Sequence, residues 1–314
     1  MNVIVEREKG LLELEQRIAD LKSHSAEQTV DFSIEIAALE AKYAQIQHDV
    51  FSKLTPWQRV NMARHPKRPN GADYIAALDQ FDELHGDRHF RDDPAIIGGF
   101  AKLRGRRVIA IAQDKGRDVK EKVHRNFGMA APEGYRKVKR LIELGGHLSL
   151  PIVTFIDTSG ADPGIGSEER AQSEAIAASL YALADVHTQV VATIVGEGGS
   201  GGALALALAD HVIMLQHSVY SVASPEGAAA ILWGDAGKAD EAASRLRLTS
   251  DDLTRFGIVD EVVPEPLGGA HRDASGTIAK VMNAVDAAIE RLAHEPMDRL
   301  LDMRYAKFRR IGTT

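Results

Sequence analysis

The residues best suited to chemistry form a glycine run in the second half of the chain, where five glycines interrupt an otherwise apolar segment. The pattern predicts a strand that turns into a helix at these glycines. Without Cβ atoms around them, the backbone N–H groups of such a turn approach a polarised oxygen closely, and the positive end of the following helix lies behind them. The run therefore predicts an anion or oxyanion site, and its glycines are Gly196, Gly198, Gly199, Gly201 and Gly202.

A second loop of the same kind lies one unit upstream. The apolar stretch 151–156 runs into the loop 157–166, which contains Gly164 and Gly166, and an Ala-rich helix is predicted to begin near Ser167. Ligands of parallel sheets bind in crevices at the carboxyl ends of neighbouring strands. We therefore expect the two loops to share one pocket.

Nucleotide binding is one interpretation of the glycine run. Residues 196–201 match the G-x-G-x-x-G dinucleotide fingerprint, which also needs an acidic residue at the end of the next strand to hold the ribose. That strand ends at 214–217 without an acid. A phosphate loop would need Gly-Lys-Ser or Gly-Lys-Thr after the glycines, and neither is present.

Acyl chemistry offers two further interpretations. Residues 198–202 match the G-x-S-x-G nucleophile elbow, in which Ser200 is the nucleophile of a serine hydrolase and Asp210 with His211 or His217 follows in hydrolase order. Alternatively, the amides of Gly201 and Gly202 form an oxyanion hole and no side-chain nucleophile takes part. The residues of the run themselves are compatible with both interpretations.

Composition narrows the function classes. The 314 residues carry a formal net charge of −7, which argues against general nucleic-acid binding. Because no apolar run approaches the ~20 residues that cross a bilayer, and no signal or transit pattern is recognised, we expect a soluble, cytoplasmic protein without membrane contact. The absence of cysteine excludes disulfides, thiolate nucleophiles and thiolate zinc sites within this chain, and no metal site is predicted.

Positive charge is concentrated in one stretch. Between Lys115 and Arg140, nine Lys and Arg residues accompany only three acidic ones, which predicts contact with a phosphorylated small molecule or an acidic protein surface. Gly116 breaks the first part of the stretch directly after a predicted strand, so Lys115 and Arg117 are the candidate ligand contacts. The part at 136–140 is more typical of a solvated helix face.

Three regions position these residues. Residues 1–54 form a predicted helical hairpin with a polar break at 23–28, because apolar residues recur there at steps of three and four. Residues 55–94 are predicted to be connecting helices. Residues 95–314 alternate between strands and helices, which predicts an α/β fold. The predicted strands lie near 96–103, 108–112, 151–156, 190–195, 212–215, 219–222 and 258–263, with helices at 135–147, near 167, after the glycine run, from 225 and over 273–310.

The sequence resembles a known family over nearly its whole length. The matching segments are 115–118, 126–129, 132–136, 156–176, 195–204, 221–227 and 263–272. They occur in the order found in the alpha subunit of the carboxyltransferase of bacterial multi-subunit acetyl-CoA carboxylase. The chain departs from the family pattern at Ser159, where proline is usual, and at Asp162, where an aromatic residue is usual. Since a negative charge would repel a carboxylated substrate, we expect the Asp162 side chain to lie away from the pocket.

The resemblance implies a crotonase-like superhelix of ββα units that carries an N-terminal helical hairpin. It also implies transfer of a carboxyl group from carboxybiotin, held on a biotin carboxyl carrier protein, to acetyl-CoA, which gives malonyl-CoA in the first committed step of fatty acid synthesis. The implied partners are a zinc-containing beta subunit in an alpha2-beta2 assembly, the carrier protein and biotin carboxylase.

By the same resemblance, Gly201 and Gly202 hold the ureido oxygen of biotin, and an equivalent glycine pair on the beta subunit holds the thioester oxygen. The residues expected to border the substrates are Gly198, Gly199, Ser200, Gly164, Gly166, Lys115 and Arg117.

Overall fold

Eight strands form one sheet, and its central strands are the most deeply buried. The computed structural model describes residues 3–27 and 32–312. Within these ranges the strands are β1 (Gln80–Glu83), β2 (Ile96–Leu103), β3 (Arg106–Gln113), β4 (Ile152–Thr158), β5 (Val190–Gly199), β6 (His211–Leu215), β7 (Val219–Ser221) and β8 (Glu261–Val263). Every residue of β4 and β5 is buried, which is the pattern of strands covered on both faces.

Helices precede the sheet, connect its strands and end the chain. They are α1 (Val3–Glu27), α2 (Ser33–Phe51), α3 (Pro56–Ala63), α4 (Gly71–Ala76), α5 (Val119–His124), α6 (Pro132–His147), α7 (Ile165–Glu169), α8 (Gln172–Asp185), α9 (Ser200–Ala207), α10 (Pro225–Trp233), α11 (Ala239–Leu246), α12 (Ser250–Arg255), α13 (Ala274–Ala293) and α14 (Met297–Arg310). Among the residues described, none of these helices combines the length and apolarity needed to span a membrane.

The strand order explains where the glycine run lies. Strands β1, β2 and β3 are antiparallel, and the sheet continues in parallel through β4, β5, β6 and β8. Strand β5 changes partner along its length, because residues 191–194 pair with β6 and residues 197–199 pair with β7. The glycine run therefore occupies the carboxyl end of β5, where the strand leaves one neighbour for another.

Two cores cover the two faces of the sheet. Adjacent residues of β4 point to opposite faces, so Ile156 packs with Leu141 of α6 while Phe155 belongs to the core that contains Val285 of α13. The second core also holds Tyr74 of α4, whose ring stacks on Phe155 at a centroid distance of 5.3 Å. The sheet is thus a fixed platform for the loops at its carboxyl edge.

Three local expectations from the sequence were wrong. The segment 55–94 is not purely helical, because β1 lies within it and pairs with β2. The predicted polar break at 23–28 is helical as far as Glu27, and residues 28–31 fall outside the described ranges. The last strand covers only Glu261–Val263 rather than 258–263, and residues 294–296 divide the predicted C-terminal helix, where Pro296 precedes α14.

The N-terminal hairpin packs against its own chain. The carboxylate of Glu8 lies 3.0 Å from Nε2 of His65 and 2.8 Å from Nε2 of His271, and the two imidazole rings stack at 3.6 Å. Both His65 and Glu8 are almost fully buried. Although burial alone would raise it, hydrogen bonds from the two imidazoles lower the pKa of Glu8 to about 2. The cluster therefore fastens α1 to the body of the molecule.

A buried ion pair joins the sheet to the segment after β8. Arg68 donates to both carboxylate oxygens of Glu265, at 2.8 and 2.7 Å, and its Nε donates to the backbone oxygen of Val195. Glu265 also accepts the backbone N–H groups of His217 and Ala270. Burying such a pair costs desolvation free energy, and removing either partner is strongly destabilising because it leaves an uncompensated buried charge.

We expect the free energy of unfolding to fall as the pH drops from about 6.5 to 4, because burial lowers the pKa of His217 to about 4. Between these two pH values the imidazole of His217 is protonated in the unfolded chain but stays neutral in the folded one. Its contribution to the free energy of unfolding is therefore fully present above pH 6.5 and is lost as the pH falls through the pKa of the folded state. The contribution of His217 is about 3 kcal/mol. Denaturant unfolding at several pH values should show a shallower dependence for His217→Gln, while exposed His187→Gln keeps the wild-type slope. Equal slopes for wild type and His217→Gln would contradict this assignment.

Candidate active site

The loops that follow β4 and β5 lie in direct contact. A Cβ atom on Gly199 would overlap the backbone oxygen of Ser159, and one on Gly202 would lie 2.6 Å from the backbone carbon of Gly160. Since real Cβ atoms do not approach so closely, no side chain fits between the loops at either position. The two loops are therefore adjacent, and Ser159 of the first and Gly199 of the second line one small cavity, in agreement with the expected shared pocket.

The sharp turn of the run is made by serine rather than by glycine. Ser200 has a φ of 54°, in the left-handed region, whereas no glycine from Gly196 to Gly202 has a positive φ. The expectation that glycines supply the turn was therefore wrong. Most of them supply space instead: a Cβ on Gly198 would lie 2.8 Å from the Tyr220 ring, but one on Gly201 would meet nothing closer than Ile176 at 3.6 Å.

The start of α9 presents backbone donors to an apolar recess. Helix α9 begins at Ser200 without a side-chain cap, and the first N–H groups of a helix have no acceptor within it. Ser200 and Gly201 line a cavity of about 540 Å³. The other residues around it are mostly apolar: Leu204, Tyr220, Ser221, Val222, Leu246, Arg247, Leu253, Phe256, Ile258, Phe308 and Ile311. The recess can hold an apolar ring whose oxygen meets the helix start.

A second cavity, which we call the basic cleft, adjoins the same strand ends and has a volume of about 580 Å³. Ser159 lines it, together with the carboxylates of Asp157 and Glu197. Its cations are Arg64, Lys67, Arg68, Lys115, Arg117 and Lys122. Sequence reasoning missed Arg64 and Lys67. The signal for Lys67 is the basic, proline-rich segment 65–70 between two helices, whereas Arg64 ends α3 and carries no such signal.

Lys115 is the centre of an ion-pair network in the basic cleft. Its Nζ lies 2.8 Å from Oδ1 of Asp157 at the end of β4 and 2.5 Å from Oε2 of Glu197 in β5. The other oxygen of Glu197 accepts Nε of Arg64 at 2.6 Å, and Oδ1 of Asp157 accepts the backbone N–H of Glu197. The network therefore ties together the strand ends that carry both loops.

The charges of this network hold one another in their ionised states. Burial opposes the charge on Glu197, but the cations of Lys115 and Arg64 lower its pKa to about 2. Burial likewise opposes the charge on Lys115, yet the carboxylates of Asp157 and Glu197 raise its pKa. Two carboxylates already compensate Lys115, so its ammonium is not a spare positive charge for a phosphate.

The remaining candidate contacts lie in different surroundings. Arg117 is mostly exposed and forms an ion pair with Asp73 at the mouth of the basic cleft. Gly164 and Gly166 line neither of the two cavities, and the N–H of Gly164 donates to Oδ1 of Asp162 at 3.2 Å. Asp162 also accepts a hydrogen bond from Oγ of Ser167, so its charge is engaged at the start of α7.

The second part of the basic stretch is not a solvated helix face throughout. Lys137 of α6 is fully buried, and its Nζ donates to the backbone oxygen of Ile96 at 2.9 Å. It also lies 3.1 Å from Oδ1 of Asp92. The prediction for 136–140 was wrong at this residue, because one face of α6 packs against the sheet.

The hydrolase arrangement does not form around Ser200. His211 begins β6 and pairs with Val191 at the start of β5, whereas Ser200 follows the opposite end of β5, roughly 30 Å away at ~3.3 Å per residue. Asp210 binds Arg304 at 2.7 Å, and His211 lies 3.1 Å from Glu261. Among the described residues, no histidine lines the cavity beside Ser200.

Solved structures share the fold. Transcarboxylase 12S, solved as a hexamer with methylmalonyl-coenzyme A and methylmalonic acid bound, superposes with a TM-score of 0.57 at 20% identity, over 71% of this chain and 41% of that one. A Pseudomonas malonate decarboxylase hetero-tetramer in complex with coenzyme A gives a TM-score of 0.55 at 17% identity, over 69% of this chain and 89% of that one. The fold is crotonase-like, as the family resemblance implied.

Sequence comparisons identify the family. The family described as "Acetyl co-enzyme A carboxylase carboxyltransferase-like" matches residues 4–312. A relative in Legionella pneumophila (strain Lens), named acetyl-coenzyme A carboxylase carboxyl transferase subunit alpha, is 49% identical over 309 residues and 98% of each chain. A relative of the same name in Methylococcus capsulatus is 50% identical over 306 residues, which cover 97% of this chain and 95% of that one. The chain therefore belongs to the family of acetyl-CoA carboxylase carboxyltransferase alpha subunits.

Proposed function

We propose that this chain supplies the biotin half of a carboxyltransferase site, in which the N–H groups of Gly201 and Gly202 donate to the ureido oxygen of biotin. The overall activity is inferred from the family to which the chain belongs. It is biotin-dependent carboxyl transfer to acetyl-CoA, which gives malonyl-CoA for fatty acid synthesis. The observation that supports this site is the uncapped start of α9, which opens onto the apolar recess beside Ser200.

The residues of the recess fit the group that we propose to enter it. A ureido ring with an alkyl chain needs apolar walls and donors at one polar end, and Leu204 and Phe256 supply walls beside Gly201. Carboxybiotin on its carrier protein supplies the carboxyl group. The chain's own contribution is to stabilise developing negative charge on an oxygen at the start of α9, which is worth ~2.7–4 kcal/mol per backbone donor.

The chain works with partner subunits, since it is one subunit of a multi-subunit carboxyltransferase. We propose that a beta subunit completes the site with a second pair of backbone donors for the thioester oxygen, that it carries the zinc, and that the assembly is alpha2-beta2. The biotin carboxyl carrier protein and biotin carboxylase are the other proposed partners. We place the assembly in the cytoplasm.

The basic cleft is our proposed contact for the phosphates of CoA. Arg117, Lys67 and Lys122 line it, and among the described residues the last two have no carboxylate within ion-pair distance. For Lys115 the compensated charge supports a positioning role, in which it holds Asp157 and Glu197 at the strand ends. Gly198, Gly199, Gly164 and Gly166 then shape the loops rather than bind substrate through their own groups.

The test of the proposed function is a subunit assay. We expect the purified chain to show no turnover with free biotin and malonyl-CoA in the reverse direction, and to gain activity when a beta subunit of the family is added, because half of the donors belong to the partner. The beta subunit alone is the control. Full activity of this chain without a partner would contradict the proposal.

A serine hydrolase is the second candidate, because Ser200 is exposed and has the strained φ of a nucleophile elbow. We expect Ser200→Ala to keep the carboxyltransferase turnover of the assembled enzyme within about tenfold, since no histidine among the described residues lines the cavity beside the hydroxyl. Treatment with a fluorophosphonate should leave Ser200 unlabelled. Stoichiometric labelling, together with a loss of several orders of magnitude in esterase activity for Ser200→Ala, would favour the hydrolase instead.

A further inference from the structure

Another cavity lies between α6, α8 and the loop that precedes β2, away from the glycine run. Its volume is about 670 Å³, and five cationic side chains line it against three acidic ones. The cations are Arg88, Arg136, Lys139, Arg140 and Arg170, and the acids are Asp87, Glu143 and Glu174. Three of the cations have acidic partners: Lys139 lies 3.0 Å from Glu143, Arg170 lies 2.5 Å from the buried Glu133, and Arg136 lies 3.8 Å from Asp87.

The other two cations share a single weak acceptor. Nη1 of Arg88 donates to the backbone oxygen of His85 at 2.7 Å, and Nη2 of Arg140 donates to the same oxygen at 3.3 Å. Within the described ranges, neither guanidinium has a carboxylate within 4.0 Å. The Nε of Arg140 is buried and has no hydrogen-bond partner. Because a carbonyl oxygen carries only partial charge, the two adjacent guanidiniums share an acceptor that does not match their charge, and neither has a carboxylate in direct contact.

The loop that carries Arg88 holds the two guanidiniums close together although their like charges repel each other. Burial lowers the pKa of Arg140 and the neighbouring charge of Arg88 lowers it further, while the carboxylates of Asp92 and Asp87 oppose this shift only in part. Arg88 itself has a φ of 67°, in the left-handed region that arginine rarely occupies. Its loop is fixed by Oδ1 of Asp87, which accepts three successive backbone N–H groups, and by Asp92, which accepts the N–H of Gly86 at 2.8 Å. Strain and like-charge repulsion that persist together are typical of a ligand site.

We propose that Arg88 and Arg140 bind a phosphoryl group of a small molecule that carries two or more linked phosphates. Two neighbouring guanidiniums offer a fork of N–H donors that matches the oxygens of a phosphate, and an anion there would supply the missing acceptor for Nε of Arg140. The cavity has the size of small-molecule sites. Arg136 and Lys139 line the same cavity and add positive charge beside the pair.

The experiment is isothermal titration calorimetry of the full chain with inorganic pyrophosphate at low salt. We expect saturable binding, and at least about a tenfold loss of affinity in both Arg88→Gln and Arg140→Gln, since each removes charge-assisted hydrogen bonds. Arg107→Gln, which removes an exposed positive charge on β3, is the matched control and keeps the wild-type affinity. Inorganic phosphate should bind at least about tenfold more weakly than pyrophosphate.

Thermal unfolding separates a ligand site from a structural role. Without ligand, Arg140→Gln should keep or raise the melting temperature, because it relieves repulsion with Arg88, and pyrophosphate should raise the melting temperature of wild type but not of this variant. The proposal is overturned by absent binding, by equal binding in Arg88→Gln and Arg140→Gln, or by equal affinity for phosphate. It is also overturned if these variants instead lose assembly with the partner subunit, which would assign the cavity to an acidic protein segment.

Discussion

Gly202→Ala is expected to lower the turnover of the assembled carboxyltransferase by roughly 10²–10³-fold, the cost of losing one oxyanion donor. An added Cβ would lie 2.6 Å from the backbone carbon of Gly160, 2.7 Å from the nitrogen of Ala161 and 2.8 Å from the hydroxyl of Tyr135. Two of these atoms belong to the backbone of the neighbouring loop. The start of α9 must therefore shift, and its N–H groups leave the position of the reacting oxygen.

The matched control is Gly201→Ala in the same helix turn. Its Cβ would meet nothing closer than 3.6 Å, so we expect an intact fold and a loss of less than about tenfold in turnover. Steady-state assays of both variants with acetyl-CoA and propionyl-CoA measure the effect, and gel filtration checks assembly. We expect similar factors for both thioesters, because the donors act on the biotin side. A selective loss for one thioester, or an equal loss in the two variants, would contradict the assignment.

Arg304→Met is expected to reduce the free energy of unfolding by about 3–5 kcal/mol, the usual cost of removing one partner of a buried ion pair. Arg304 of α14 is 2% exposed, and its guanidinium binds both carboxylate oxygens of Asp210, at 2.7 and 2.8 Å. It also donates to the backbone oxygens of Leu183, Val186 and Thr188. Its removal leaves the buried carboxylate of Asp210 with no cation and only the N–H of Val190 as a donor, and it takes a donor from each of the three carbonyl groups.

Denaturant unfolding of the full chain measures this loss. Arg309→Met, an exposed position one turn further along α14, is the control and should change stability by less than about 0.5 kcal/mol. The double variant Arg304→Met with Asp210→Asn should recover part of the loss, because the buried charge is then absent. Wild-type stability in Arg304→Met would show that α14 is not held by this pair.

Local sequence patterns predicted the elements that place the site. Apolar runs ending in glycine gave β4 and β5 with their loops and helices, because a fully buried strand and a tight strand-to-helix turn both leave signatures in adjacent residues. The helical hairpin was likewise visible in the spacing of its apolar residues. Strand β1 left no such signature, since three of its four residues are exposed at the edge of the sheet.

Residue roles were harder to infer than element positions. The sequence identified Lys115 as a cation beside a predicted strand end, but only the folded chain brings Asp157 and Glu197 around it and compensates its charge. It identified His211 as a candidate base by order along the chain. The parallel sheet places that residue at the opposite edge from Ser200, because order in sequence does not specify which end of a strand a residue occupies.

The sequence by itself determined the family, the α/β architecture and the position of the glycine run. Long ordered motifs and the periodicity of apolar residues can be recognised from residues that are close together in the chain. The tertiary structure decided the conformation and the contacts of each residue in the glycine run. Ser200 takes the left-handed turn, Gly199 and Gly202 provide the space in which two loops touch, and Arg88 meets Arg140 at one carbonyl oxygen. These outcomes depend on distances between residues far apart in the chain, which only packing fixes.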